Sequence, residues 1–150
     1  MPLKVSEEIA IDAPPERVWP YLASERGLAA WNDGLARLEP PAMRAGETCR
    51  IVMRAGPDGI EPSQEAAVVA CEPGQQLALE VAGGKLPPGV SLRVDLQLQP
   101  VGTGTRLVLE AEAQVGGFLA GLVGPMVLPR ATAELRAAAA RLKEAVEAGR

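Results

Sequence analysis

The groups available for chemistry in this sequence are carboxylates, guanidinium and ammonium groups, two thiols and one phenol; its 150 residues contain no His. Without imidazole there is no Ser-His or Cys-His nucleophile pair, no histidine general base and none of the usual nitrogen ligands of zinc or haem. Cys49 and Cys71 stand outside any Cys-x-x-Cys spacing and read as small buried hydrophobes. In a hairpin joining their strands they would be offset by about three residues, which at about 3.3 Å per residue is beyond disulfide reach. Gly102-x-Gly104 lies between two strand patterns and does not open a helix, so it is not a phosphate loop. No metal, cofactor or catalytic constellation is marked.

Glu7 shares its parity with Leu3, Val5, Ile9 and Ile11, and a regular strand turns it toward the interior. Burial there would raise the carboxyl pKa and let it exchange protons or bind a ligand hydroxyl. A strand end, a bulge or an open sheet edge would instead leave it in water. Glu65 shares parity with Ala67, Val69 and Cys71, but that run is apolar on both faces and does not set its direction. The aromatic residues are Trp19, Tyr21, Trp31 and Phe118. Tyr21, Trp31 and Phe118 are the ring surfaces placed to meet a ligand, Tyr21 with a hydroxyl as well; ordinary core packing is the competing expectation, and the favoured one for Trp19. Glu7, Tyr21, Trp31 and Phe118 therefore form the candidate ligand-binding set.

These residues need a scaffold. With 47% apolar and 23% charged side chains, residues 1–150 fit a single domain. Nineteen acidic against fifteen basic residues give a net charge of −4, which excludes the electrostatic footprint of a nucleic-acid binder. Met1 to Ala10 show no secretory signal, so the cytoplasm is the expected compartment. Val115 to Leu128 holds four Gly and a Pro and falls short of the roughly 18–20 residues of a transmembrane helix.

Proline and glycine punctuate the chain at short intervals, at Gly56-Pro57-Asp58-Gly59, Pro73-Gly74, Gly83-Gly84, Pro87-Pro88-Gly89 and Gly102-Thr103-Gly104, and predict turns between strands. Leu92, Val94, Leu96 and Leu98 alternate with polar residues, as do Leu107, Leu109, Ala111 and Ala113, and two paired strands follow. Asp12 before Ala13-Pro14-Pro15-Glu16 predicts a helix start with a carboxylate N-cap. Ser24 to Gly27 breaks that helix, and Leu28 to Trp31 forms a second short one. Leu128, Ala131, Leu135, Ala138, Leu142 and Ala145 step by three and four as the interior row of a long terminal helix.

The segment Ile9-Ala10-Ile11-Asp12-Ala13-Pro14-Pro15-Glu16-Arg17-Val18-Trp19 resembles the opening of the START-like superfamily, also called SRPBCC or polyketide cyclase/dehydrase-like proteins. Glu72-Pro73-Gly74-Gln75-Gln76-Leu77 resembles that group's turn into the middle strands, Gly104-Thr105-Arg106-Leu107 its approach to the last strand, and Trp31 a tryptophan often found after the second helix. The resemblance implies an α+β helix-grip fold, in which a curved antiparallel sheet of about seven strands wraps a long C-terminal helix, with two short helices after strand 1. It also implies binding or transport of a small hydrophobic molecule, lipid-, quinone- or polyketide-like, in a cavity between sheet and helix. The alternatives are a polyketide cyclase or dehydratase using a carboxylate or phenol as proton shuttle, and a protein-interaction module with a filled core. Four aromatic residues are few for a cavity built of stacked rings. Gly116 to Leu128, more apolar than a solvated loop needs to be, suits a lid, a peripheral membrane contact, a homodimer contact or an extra helical turn on the sheet.

Overall fold

In a computed structural model, residues 2–82, 90–115 and 119–149 are described, with side-chain surroundings for 4–81, 91–114 and 132–149. The turns expected at 83–89, and Gly116, Gly117 and Phe118, lie outside the described residues. The chain runs β1 (Pro2–Ile11), α1 (Pro15–Ala23), α2 (Glu25–Ala29), β2 (Leu35–Glu39), β3 (Thr48–Met53), β4 (Ser63–Glu72), β5 (Gln76–Ala82), β6 (Val90–Val101), β7 (Gly104–Val115) and α3 (Leu119–Ala148). The seven strands form one antiparallel, curved sheet in the order β1-β7-β6-β5-β4-β3-β2, the helix-grip arrangement. Irregular register at Val68/Ala70 in β4 and at Leu35/Arg37 in β2 adds local bend where the sheet curls.

Several local expectations are corrected. Asp12 does not cap α1: Pro14 is the N-cap, with no side-chain cap bond, and Pro15 opens the helix at a position where an N–H would have no helical partner and its absence costs nothing. Ser24 to Gly27 do not merely break the first helix. Ser24 ends α1 and caps α2, donating to the Pro20 carbonyl at 2.6 Å and accepting from the Gly27 N–H at 3.2 Å, so α2 begins at Glu25. Gly27 is required at that junction, because a Cβ there would run into the Pro20 carbonyl. Cys49 pairs with Ala66, leaving Cys71 five residues further along β4 instead of about three; both thiols are free.

Both edges of the sheet are occupied. At β2, the Glu25 carboxylate accepts the Leu38 N–H at 2.8 Å, the Glu25 N–H donates to Pro41 at 2.9 Å, and the Met43 N–H donates to Ala23 at 2.9 Å. The first bond occupies a β2 backbone group that a bare edge would offer to another chain, and the other two tie the stretch after β2 to the α1–α2 junction. At β1 the partner is α3. The Lys143 ammonium donates to the Ala10 carbonyl at 2.6 Å, and the Glu147 carboxylate accepts from the Asp12 N–H at 2.9 Å and from Lys143 at 2.6 Å. Arg136 meets Glu7 further back on the same flank, so α3 runs parallel to β1. The helix buries Ala139, Leu142, Ala145 and Val146 and half-buries Leu135 and Ala138. Its stripe is thus centred between the expected Leu-Ala row and the next residue along, and takes in Ala139 and Val146, which that row omitted.

The exit from β1 is held from the other side by β7. Thr105 is 2% exposed, and its hydroxyl donates to the Ala13 carbonyl at 2.7 Å. A Cβ on Gly104 would stand 2.8 Å from the Ile11 carbonyl, and Arg106 pairs with Glu8. Gly104 and Thr105 thus have contacts that demand their types, and Arg106 adds an exposed ion pair.

Two stability predictions follow from these joints. Thr105→Val keeps the shape but leaves the buried Ala13 carbonyl without its donor, and is expected to cost about 1–3 kcal/mol in urea unfolding; a loss under about 0.5 kcal/mol, the range of ordinary surface changes, would contradict the role. Lys143, and then the Asp12 N–H, hold the Glu147 carboxyl below the usual carboxylate range. A carboxyl depressed in the folded state stabilises above its ordinary pKa, and loses that contribution as the pH falls through the depressed value. Wild type should therefore melt above Glu147→Gln near neutral pH, with the gap in Tm closing as pH is lowered from about 7 to about 3. A gap that widens on acidification would refute the clasp.

Candidate functional site

The sheet has one face toward α3, and strand register identifies its members. Val5, Glu7 and Ile9 on β1 stand opposite Ala111, Leu109 and Leu107 on β7. Those three lie opposite Val94, Leu96 and Leu98 on β6, and Ala113 lies opposite Leu92. Leu77, Leu79 and Val81 continue the face on β5.

Burial along this concave face is uneven. At the end where β1 leaves for α1, Ile11, Leu98, Leu107 and Leu77 are buried together with Val18 and Leu22 of α1 and Leu142 and Val146 of α3. Toward the other end, Val5, Glu7, Ala111, Ala113, Val94 and Leu92 are only half-buried. Helix α1 closes one end of the concave face. The opposite end keeps the apolar side chains of β1, β6 and β7 within reach of solvent although they point inward, while Leu79 and Val81 of β5 stay buried.

Glu7 lies on this face, as its parity predicts. Its side chain is 23% exposed, and its Oε2 is 3.4 Å from Nε of Arg136 on α3, whose own side chain is 71% exposed. Val5 and Ile9 flank it along β1, with Leu109 opposite. Glu65 faces away: it is exposed and paired with Arg50 at 3.3 Å on the convex side.

Tyr21 and Trp31 are brought together on the α1–α2 side. The Trp31 indole N–H donates to the Tyr21 backbone carbonyl at 2.8 Å, and both rings are half-buried against the core, as is Trp19. That bond ties the chain after α2 back to α1. Phe118 is outside the described residues. From Leu119 onward the stretch expected as lid, contact or extra turn has helical backbone, continuous with a 30-residue α3.

Two polar residues, one on this face and one on the helix flank beside it, escape notice in the sequence. Gln64 is opposite Ile51 and two residues before Ala66, so it stands half-buried on the concave face at the open end of β4. The alternation of Gln64, Ala66 and Val68 carried that signal, but the small apolar residues on both faces of the run concealed it. Arg136 belongs with Lys143 and Glu147, spaced seven and four along one helix flank. The spacing is visible in the sequence; the strand it faces is not.

Burial raises both thiols, Cys49 and Cys71, which disfavours the reactive thiolate. Among the described residues no group of three or more acidic or thiol side chains is assembled for a metal, and no helix is long and apolar enough to cross a membrane. A groove of about 660 Å³ lies outside the closed end, between Pro15, Glu16, Glu72 and the glutamines Gln75, Gln76, Gln97 and Gln99. Its walls mix those amides and carboxylates with Pro15, Leu98 and Pro100.

Solved structures share the architecture. A protein of unknown function from Staphylococcus aureus superposes with a TM-score of 0.81 at 13% identity, covering 99% of this chain and 96% of its own. Ara h 8.0201 superposes with a TM-score of 0.72 at 12% identity, covering 97% and 98%. DynU16, from the dynemicin biosynthetic locus, gives 0.71 at 20% identity, with 99% of this chain matching 48% of that one. At such identities these likenesses establish the fold alone. A search of curated protein sequences gave no match. The family described as polyketide cyclase / dehydrase and lipid transport matches residues 2–147, from β1 to the last turn of α3, and the chain belongs to that family.

Proposed function

We propose that this protein binds a small hydrophobic molecule, lipid-, quinone- or polyketide-like, at the open end of the concave face, between the sheet and α3. One observation carries the reading: along β1, β6 and β7 the same inward row passes from buried to half-buried, with no change to polar residue types apart from Glu7. An interaction module with a filled core would bury Leu92, Val94 and Ala111 as fully as Leu98 and Leu107. Covering such surface with a ligand supplies about 2.5 kcal/mol per 100 Å² of apolar area, before ordering costs. Glu7 provides an acceptor there, whereas Tyr21 and Trp31 are packed on the α1–α2 side, away from this surface.

The second reading, a cyclase or dehydratase, is favoured by the family and by two polar side chains, Glu7 and Gln64, on the open half of the same face. It uses the hollow for orientation and Glu7 as proton shuttle. Native mass spectrometry of protein purified from its own host distinguishes the two: an unmodified apolar compound marks a carrier, and a mixture of related precursor and product marks an enzyme. In that second case Glu7→Gln should abolish conversion of the precursor while leaving its affinity largely intact.

Ala111→Trp tests the hollow itself. If the open end is a binding space, the indole occupies it: binding of the dye Nile red is lost and stability falls by under about 1 kcal/mol. In a solid core the same substitution overpacks, costing about 1–3 kcal/mol or more. Unchanged dye binding, or a large loss of stability, would contradict the proposed location.

A further inference from the structure

We infer, building on the ligand-binding reading, that Arg136 is a positioning residue: it fixes the Glu7 carboxylate as a hydrogen-bond acceptor turned to the concave face, so the ligand is an apolar molecule bearing a hydroxyl group and not a carboxylate. Glu7 is the one charged residue in the β1, β5, β6 and β7 rows of that face, set between Val5 and Ile9 and opposite Leu109. A carboxylate among apolar neighbours is costly unless paired. Among the described residues its partner is the Arg136 guanidinium, through Oε2 and Nε at 3.4 Å.

The two members of the pair are not equally placed. Arg136 is 71% exposed and Glu7 23%. The guanidinium therefore stands toward solvent, on the helix flank that also carries Lys143 and Glu147, and the carboxylate stands toward the apolar hollow. A molecule lying against Val94 and Ala111 reaches the carboxylate first. Ionised carboxylates only accept hydrogen bonds, and an O–H donated to one is among the stronger neutral-to-charged contacts. A ligand acid arriving at the same point would bring a second negative charge beside the first, which is unfavourable.

The test is displacement of Nile red, a neutral dye, by 1-dodecanol and by dodecanoate at neutral pH. Their ratio of displacing concentrations is compared between wild type and variants, which cancels the difference in water solubility of the two probes. Glu7→Gln should shift the ratio by about tenfold toward the acid, the size of one lost hydrogen bond to a charged group. Arg136→Gln should weaken displacement by the neutral 1-dodecanol roughly threefold, as expected of an exposed ion pair, and Arg136→Lys should restore it. A merely structural Arg136 would lower Tm and leave 1-dodecanol displacement alone. An unchanged ratio in Glu7→Gln, or unchanged 1-dodecanol displacement in Arg136→Gln, overturns this inference while Nile red binding upholds the binding surface; failure of wild type to bind Nile red sinks that surface, and the inference with it.

Discussion

Three of the four residues from Ala10 to Ala13 make backbone hydrogen bonds to side chains of β7 and α3, far along the chain. Thr105 on β7 holds the Ala13 carbonyl, Lys143 on α3 holds the Ala10 carbonyl, and Glu147 on α3 takes the Asp12 N–H. This segment is where β1 must stop being a strand and turn under the sheet to become α1. Ala10 and Ile11 still pair with β7 while Asp12 and Ala13 have left the ladder, and an unpaired buried carbonyl such as that of Ala13 is costly. The joint thereby locks the first strand, the first helix and the last helix to one another, and it sets the direction in which α3 crosses the sheet.

Locking one end has consequences for the other. Val18 and Leu22 of α1 and Leu142 and Val146 of α3 converge on Ile11, Leu77, Leu98 and Leu107, and there the core is solid. A domain with one well-filled half can leave the other half short of contacts without unfolding, because stability is not spread evenly over a structure. The half-buried leucine, valines and alanines at the open end are the counterpart of that solid end. Glu7 stands between the two regimes, buried enough to require a partner and open enough to offer one.

The family's sequence signature reads differently once these joints are seen. Gly104-Thr105-Arg106 holds no catalytic group; it is a strand start whose glycine clears the Ile11 carbonyl, whose threonine bonds Ala13 and whose arginine meets Glu8. Ile9 to Trp19 likewise encodes the β1-to-α1 turn and the buried face of α1. Such residues mark the fold and leave the ligand unspecified, which is why members of a family can share them and differ in what they bind.

Strand alternation, the two short helices and the terminal helix are legible because hydrophobic period is a local property: Leu92 to Leu98 and Leu107 to Ala113 declare their buried faces without reference to anything else. The inward direction of Glu7 came from the same rule. What failed was decided by partners distant in sequence. Asp12 looks like an N-cap, but its N–H bonds Glu147, 135 residues away, and the helix starts after Pro14. Gln64 was hidden because Ala66, Ala67 and Val68 give no contrast between faces, and only pairing with β3 reveals which way it points. Arg136 is an ordinary helix-surface cation until β1 is laid beside it. The sequence by itself determined the order and period of the elements, the absence of imidazole chemistry and the set of apolar rows. Tertiary structure alone decided which end of those rows is closed and which charge answers Glu7, because both depend on contacts between elements far apart in the chain, which no local pattern encodes.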